Sequence, residues 1–247
     1  MDRRAHPSSG SDRGLAVDVP EMSQWFDGAT LVPSRYLRLY LGLELAVLYL
    51  GLPLLLYTQR EALDGWIGPI LLLLAAGCTA VLWCDGSFDR KQLWNRDAFR
   101  QNLIHTLRWF VPGALGVGSV FAVLRPDLLW LLPRSHTEIW VVLMVTYPVI
   151  SVYPQEIVFR TFFFHRYHPL FRTIRGKVVA SSLAFGLAHI VFANWVAPLM
   201  TTVMGGLLGR TYARTGSTLQ VTLEHGIWGA FAFTVGLGWY VFSGAIG

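Results

Sequence analysis

Long apolar stretches dominate this sequence and leave few folds open to it. A helix of about 20 apolar residues crosses the hydrocarbon core of a bilayer, and a spanning helix satisfies its own backbone hydrogen bonds. Such segments lie at residues 36–57, 66–83, 107–124, 139–167, 178–195, 197–212 and 217–247. We therefore predict an all-α fold, a polytopic transmembrane helical bundle of about seven spans, or about eight if the 137–167 or the 217–247 region is broken.

The composition agrees with a membrane protein and argues against a nucleic-acid binder. Hydrophobic residues make up 53% of the chain and charged residues 14%, whereas a soluble domain carries about 25% charged residues. The net charge is +5, but the Lys and Arg residues lie in short loops between apolar segments and form no basic stripe. We expect the chain to contact the lipid bilayer and to have no nucleic-acid partner.

The N-terminal segment of the chain differs from the rest in polarity. Residues 1–34 are polar and are predicted to form a disordered N-terminal tail, whereas residues 35–247 are predicted to form a single transmembrane domain. The tail and the loops near residues 90–100, 166–177 and 210–214 hold more Lys and Arg than the loops near residue 60 and residues 125–134. The positive-inside rule places the richer set in the cytoplasm. We predict a multi-pass integral membrane protein with a cytoplasmic N-terminus.

An acid and a base interrupt the apolar segment at residues 153–167. Ionisable side chains in a spanning helix cost roughly 2.5–3.5 kcal/mol each on insertion scales, so they usually face a protein interior or a wet cavity. Glu156 and Arg160 share one helix face at i, i+4 spacing, which predicts an ion pair. His189 and His225 lie in other apolar segments. We predict that the acid and both histidines meet in one pocket, because each is costly to bury alone.

A glutamate and two histidines that converge support two kinds of chemistry. In the first, Glu156, His189 and His225 hold Zn²⁺ and leave an open position for water. In the second, no cofactor is bound: Glu156 is the general base that activates a water, and Arg160 holds it in place. The histidines then position the water and stabilise the oxyanion. The HExxH pattern of zinc peptidase helices does not occur in the sequence.

Three motifs resemble those of the CPBP (Abi) family of intramembrane proteases, which includes the type II CAAX prenyl endopeptidases. The family patterns EExxxR, FxxxH and HxxxN are similar, in order, to Gln155-Glu156 with Arg160, to Phe185 with His189, and to His225. The resemblance covers residues 138–240, which we predict to be the protease-like core. It implies a helical membrane fold with the site in a cavity. It also implies hydrolysis of a peptide bond by an activated water, with glutamate dependence and no metal, or with zinc as the alternative.

Two positions depart from the family motifs. Gln155 occupies the place of the first glutamate and cannot take up a proton, and Gly229 occupies the last position of HxxxN without a side chain. Asn194 either replaces the missing side chain or caps a helix end. Glu224 either orients His225 or pairs with a nearby arginine.

We predict an intramembrane endopeptidase that cuts a membrane-anchored or lipid-modified polypeptide, located in the plasma (inner) membrane of a bacterium. Its predicted catalytic residues are Glu156, Arg160, His189 and His225, with Gln155, Phe185, Asn194 and Glu224 in support. The alternative is a non-catalytic membrane scaffold or immunity-type protein that keeps the same fold, and Gln155 and Gly229 favour it.

Overall fold

Helices make up all the regular structure in the part of the chain described by the computed structural model, residues 34–63 and 65–241. The all-α prediction is therefore confirmed, and the predicted tail up to residue 33 lies outside the described residues. The helices are α1 (Arg35–Thr58), α2 (Ile67–Cys84), α3 (Arg96–Leu124), α4 (Leu131–Ser135), α5 (Thr137–Arg166), α6 (Ile174–Phe192), α7 (Val196–Thr215) and α8 (Thr218–Val235). Short 3₁₀ turns follow at Arg90–Leu93, His168–Leu170 and Leu237–Val241.

Five of the described helices are long and apolar enough to cross a membrane: α1, α2, the Asn102–Leu124 part of α3, α5 and α6. The chain is thus a multi-pass integral membrane protein. The predicted count of about seven spans also includes α7 and α8, which are 20 and 18 residues long. Polar residues such as Gln220, Glu224 and His225 lower their hydropathy, so length and composition alone do not mark them as spans.

Helix α5 is continuous despite two prolines in its interior. It is α-helical over Thr137–Tyr147 and widens into π turns at Pro148–Val152 and Ile157–Phe162. Proline has no N–H to donate, and a π turn is one way for the backbone to absorb the break in the ladder. The 137–167 region, which the sequence allows to be either one span or broken, is therefore one continuous helix.

Glycines allow α6 and α7 to approach closely. A Cβ added to Gly205 would lie 3.0 Å from the Cα of Ser182, and one added to Gly209 would lie 3.3 Å from Cγ1 of Val178. Gly186 on α6 is equally tight, because its added Cβ would lie 2.9 Å from the carbonyl oxygen of Pro198. The glycine-rich segment of α7 therefore packs through its missing side chains, as small residues do between membrane helices.

Contacts between loops join the ends of the helices in two groups. At one end, His165 donates to Asp85 at 2.9 Å, and Tyr212 donates to Gln92 at 2.9 Å. At the other end, Arg125 donates to the hydroxyl of Tyr240 at 2.7 Å. The loops assigned to one side of the membrane by their basic residues thus lie together.

The carboxyl group of Asp85 stays negatively charged over the ordinary pH range. Hydrogen bonds from the Ser87 hydroxyl and from His165 lower the pKa of Asp85 to about 2. The carboxylate therefore remains available to His165 at the end of α5. Close by, Arg166 donates two hydrogen bonds to Glu44 at 2.9 and 2.8 Å, which ties α5 to α1.

Candidate active site

A cavity of about 340 Å³ lies between α1, α2, α5 and α6. Most of its wall is apolar, from side chains such as Leu52, Leu71 and Phe159. Most of its polar side chains come from α5 and α6, namely Thr146, Tyr147, Ser151, Gln155 and His189, and Tyr49 of α1 adds one more. A largely apolar pocket with a few polar groups on one side is the usual form of a ligand site in a protein.

Glu156 and His225 form a hydrogen-bonded pair between α5 and α8. Oε1 of Glu156 lies 2.6 Å from Nδ1 of His225. Glu156 is 0% exposed and His225 is 6% exposed. A carboxylate only accepts hydrogen bonds, so the imidazole proton is assigned to Nδ1. This assignment makes Nε2 of His225 the acceptor nitrogen of the ring, as a histidine that takes up a proton requires.

Arg160 compensates the buried charge of Glu156. Its Nε lies 3.2 Å from Oε2 of Glu156, and Arg160 is itself 0% exposed. The guanidinium carbon lies 4.4 Å from the ring centroid of Phe185, and Nη2 donates to the carbonyl of Gly205 at 3.4 Å. The structure thus brings together the pair that the i, i+4 spacing predicts.

Phe185 lies at the centre of the site. It is 0% exposed, and its ring centroid lies 4.7 Å from that of His189 and 5.6 Å from that of His225. Nδ1 of His189 lies 2.7 Å from the carbonyl oxygen of Phe185, to which it donates. Nε2 of His189 is then the acceptor nitrogen of the ring. His189 also lines the cavity. Three of the four predicted catalytic residues, Arg160, His189 and His225, therefore lie around one aromatic ring, and Glu156 contacts Arg160 and His225.

Tyr147 joins the site, although it is not among the residues predicted from the sequence. Its hydroxyl lies 3.2 Å from Nε2 of His225, and its ring lines the cavity. In sequence it is one aromatic residue among many in an apolar segment, where packing is the usual role. The signal that points to it is Gly229, because a Cβ built there would overlap the Tyr147 ring.

The predicted supporting residues other than Phe185 behave differently from one another. Gln155 lines the cavity and donates to the hydroxyl of Ser151 at 2.8 Å, while its Oε1 is buried without a hydrogen-bond partner among the described residues. Glu224 lies near Thr211 and Arg214. It does not orient His225, whose two ring nitrogens contact Glu156 and Tyr147.

Asn194 does not join the site. Its side-chain oxygen accepts from the backbone N–H of Ala197 at 2.9 Å, which caps the start of α7. Its amide donates to the carbonyls of Phe192 and Tyr240 at 3.1 and 2.9 Å. Of the two roles expected for this residue, the structure shows helix capping, because the chain turns between α6 and α7.

The donor set does not fit a zinc ion. Within residues 34–63 and 65–241, no group of three or more His, Cys, Asp and Glu side chains is arranged to hold a metal. Both ring nitrogens of His225 already contact protein groups, Glu156 and Tyr147, which leaves this ring without a nitrogen for a metal. The arrangement is instead that of a carboxylate that orients a histidine base.

The geometry offers a route from Glu156 to a water molecule through the imidazole of His225. Glu156 is fully buried, with His225 on one carboxylate oxygen and Arg160 beside the other. Nε2 of His225 lies on the side of Tyr147, which lines the cavity. This arrangement would allow a proton to pass from the cavity to the imidazole, with the carboxylate placed to stabilise an imidazolium.

Residues 137–231 match the family model described as type II CAAX prenyl endopeptidase Rce1-like. This segment begins at the first residue of α5 and ends within α8, so it holds Glu156, Arg160, Phe185, His189 and His225. The match confirms the resemblance to the CPBP family. No curated protein and no solved structure matches the chain.

Proposed function

We propose, from the CAAX-type protease family that residues 137–231 match, that this chain is an intramembrane endopeptidase. Its substrate would be a membrane-anchored or lipid-modified polypeptide, and the hydrolysed bond a peptide bond. The observation that carries the proposal is the 2.6 Å contact between buried Glu156 and His225 beside an apolar cavity. A carboxylate in contact with an imidazole forms a dyad that can act as general base toward a water molecule.

The catalytic cycle assigns one task to each group. Nε2 of His225 takes a proton from a water, whose oxygen forms a bond to the carbonyl carbon of the substrate. Glu156 stabilises the imidazolium through Nδ1–H, and Arg160 holds the Glu156 carboxylate in position. The imidazolium then gives its proton to the leaving amide nitrogen as the C–N bond breaks. His189, with Nε2 as acceptor, orients the water.

The cavity favours a substrate with an apolar part. Its side chains from α1 and α2 are mostly aliphatic, Tyr49 and Cys78 apart, and most of the polar residues lie on α5 and α6. A lipid chain or an apolar peptide segment would occupy the aliphatic side and bring the adjacent peptide bond to His189 and His225. Apolar burial contributes about 25 cal/mol per Å² of surface removed from water, but the enzyme competes here with the bilayer, so shape decides more than hydrophobicity.

The test measures cleavage by the purified protein in proteoliposomes. The probe is an internally quenched peptide that ends in an S-farnesyl CAAX sequence, and the same peptide without the farnesyl group is assayed in parallel. We expect Glu156→Gln to lower kcat by roughly 10³–10⁴-fold, because the histidine loses its tautomer and its counter-charge. Glu138→Gln removes an exposed carboxyl from the same helix and is the matched control. Wild-type rates in the Glu156→Gln variant would contradict the proposal.

A second candidate is the non-catalytic scaffold, which the environment of Gln155 favours. Its amide faces the cavity where a carboxylate would be able to accept a proton, and its oxygen has no partner within the described residues. The same assay decides between the two candidates. A native chain that cleaves neither peptide, with activity that appears in Gln155→Glu, would support the scaffold.

A further inference from the structure

We infer that Tyr147 is a further catalytic residue, whose hydroxyl donates a hydrogen bond to the substrate carbonyl oxygen as that oxygen becomes negative. This inference rests on the proposed endopeptidase function. It is carried by one juxtaposition: the Tyr147 hydroxyl lies 3.2 Å from Nε2 of His225, and the same residue lines the cavity. Tyr147 therefore lies between the base and the place where substrate would bind.

The direction of the hydrogen bond follows from the site. Glu156 accepts the Nδ1 proton of His225, so Nε2 is the acceptor and the Tyr147 hydroxyl is the donor. In the resting site the phenol covers the lone pair of the base. Nε2 must release this bond before it takes a proton from water. The phenol O–H then needs another acceptor, and the substrate carbonyl oxygen is the acceptor that the reaction supplies.

The other polar groups of the cavity are less suited to this task. The Thr146 hydroxyl donates to the carbonyl of Val142 at 2.8 Å, and the Gln155 amide donates to Ser151 at 2.8 Å. His189 donates from Nδ1 to Phe185, which leaves only an acceptor nitrogen on its ring. Tyr147 is the donor whose present acceptor is the catalytic base, so release of the base and formation of the new bond occur together.

The position of Tyr147 depends on Gly229. A Cβ built on Gly229 would lie 2.5 Å from the Tyr147 hydroxyl oxygen and would also overlap the ring. Gly229 follows His225 by one helical turn and shares its face of α8. The phenol therefore occupies the space that a side chain at position 229 would fill. Phe233, one further turn along, packs edge-on against the same ring at 5.1 Å between centroids and fixes its orientation.

The step balances without an added reactant. Water gives one proton to Nε2 of His225, and its oxygen forms a bond to the carbonyl carbon. The carbonyl π electrons move to oxygen, which accepts the hydrogen bond from Tyr147 while the phenol keeps its proton. When the tetrahedral species collapses, the C–N bond breaks, the amide nitrogen takes the proton from His225, and Tyr147 returns to Nε2.

Replacement of the hydroxyl alone is the first test. In the farnesyl-peptide assay we expect Tyr147→Phe to lower kcat by about 10²–10³-fold with KM nearly unchanged, as for the loss of one oxyanion donor. Tyr153→Phe is the matched control. Its hydroxyl lies on the same helix and contacts the Leu93 carbonyl at 3.5 Å. Equal kcat values for Tyr147→Phe and the native chain would overturn the inference, and thermal melting of both variants reports any loss of fold.

A second test uses the space shared by positions 147 and 229. Gly229→Asn alone should lower activity and melting temperature, because the new side chain overlaps the Tyr147 ring. Tyr147→Ala should lower kcat but leave room at position 229. In Tyr147→Ala/Gly229→Asn, the asparagine amide reaches the same place from α8, and we expect part of the lost kcat to return. A double variant no more active than Tyr147→Ala would overturn the inference.

The Glu156→Gln variant separates this inference from the function on which it rests. Suppose that the native chain cleaves the peptide and Glu156→Gln does not, while Tyr147→Phe retains full kcat. The endopeptidase function is then supported, and the proposed role of Tyr147 is contradicted. If Glu156→Gln cleaves as fast as the native chain, the proposed function itself is contradicted, whatever the result for Tyr147→Phe.

Discussion

At the scale of single residues, the site depends on a charged pair that is fully buried. Glu156 and Arg160 are each 0% exposed, and their nearest side-chain atoms lie 3.2 Å apart. The aromatic face of Phe185 covers the guanidinium at 4.4 Å. A buried pair of this kind contributes little net stability when complete, because desolvation offsets the attraction. Loss of one partner is costly, because the other charge is left in a low-dielectric interior.

We expect Arg160→Gln to lower the free energy of unfolding by about 3–5 kcal/mol, because Glu156 would lose its counter-charge. Glu156→Gln/Arg160→Gln should lose less than the sum of the two single variants, because it leaves no isolated charge. Unfolding by SDS in mixed micelles measures both. Arg125→Gln, which breaks an exposed pair with Asp127, is the control and should have a far smaller effect. An equal effect of Arg160→Gln and the control would contradict this account.

Residue spacing predicts some members of the site and misses another. Glu156 and Arg160 are recognisable because their i, i+4 spacing and their polarity stand out in an apolar segment. Tyr147 is not, since an aromatic residue in a membrane helix has many ordinary roles and its partner is on another helix. For Asn194 the sequence leaves two roles open, site residue or helix cap. The choice depends on the turn between α6 and α7, where the spacing rules of a single helix do not apply.

At the scale of helices, α6 and α7 pack through glycines whose neighbours leave no space. A Cβ on Gly205 would meet the backbone of Ser182 at 3.0 Å, whereas one on Gly206 would meet only the Ser182 hydroxyl at 3.7 Å. The glycine-rich sequence predicts a packing face on α7. It does not tell which glycines lie in the contact, because that depends on the rotation of α7 against α6.

Two neighbouring substitutions test this contact. We expect Gly205→Ala to destabilise the protein by about 1–3 kcal/mol, because the backbones of α6 and α7 must separate. Gly206→Ala should be neutral or stabilising by up to about 1 kcal/mol, because alanine favours the helix and the added atom fits. SDS unfolding and thermal melting of the two variants give the comparison. Equal destabilisation by both would show that the close approach at Gly205 is not what limits the packing.

Helix α5 shows how far element prediction reaches. Pro148 and Pro154 predict a disturbance, but a kink and a break have the same local sequence signature. The outcome depends on whether neighbours satisfy the backbone and hold the two halves in line. Here Trp140 of α5 donates to Thr234 of α8 before the prolines, and Glu156 bonds His225 of α8 after them, so contacts on both sides of the prolines keep the helix continuous.

At the scale of the whole molecule, basic residues and side-chain contacts lead to the same grouping of loops. The contacts from His165 to Asp85 and from Tyr212 to Gln92 join loops that are rich in Lys and Arg. The contact from Arg125 to Tyr240 joins segments at the opposite end. An alternating path of helices explains both observations. Which end faces the cytoplasm rests on the positive-inside rule alone and remains a prediction.

Single-cysteine labelling tests the orientation. In a chain whose Cys78 and Cys84 are replaced by serine, Gly86→Cys and Arg172→Cys place thiols on the basic side, and Ser135→Cys places one on the other. Position 86 has open space for a side chain, and positions 172 and 135 are exposed. A membrane-impermeant maleimide should label the first two only in inverted vesicles and the third only in intact cells. Labelling of Gly86→Cys and Ser135→Cys from the same side would rule out the alternating path, whereas a full reversal would change the orientation and leave the bundle and its site unaltered.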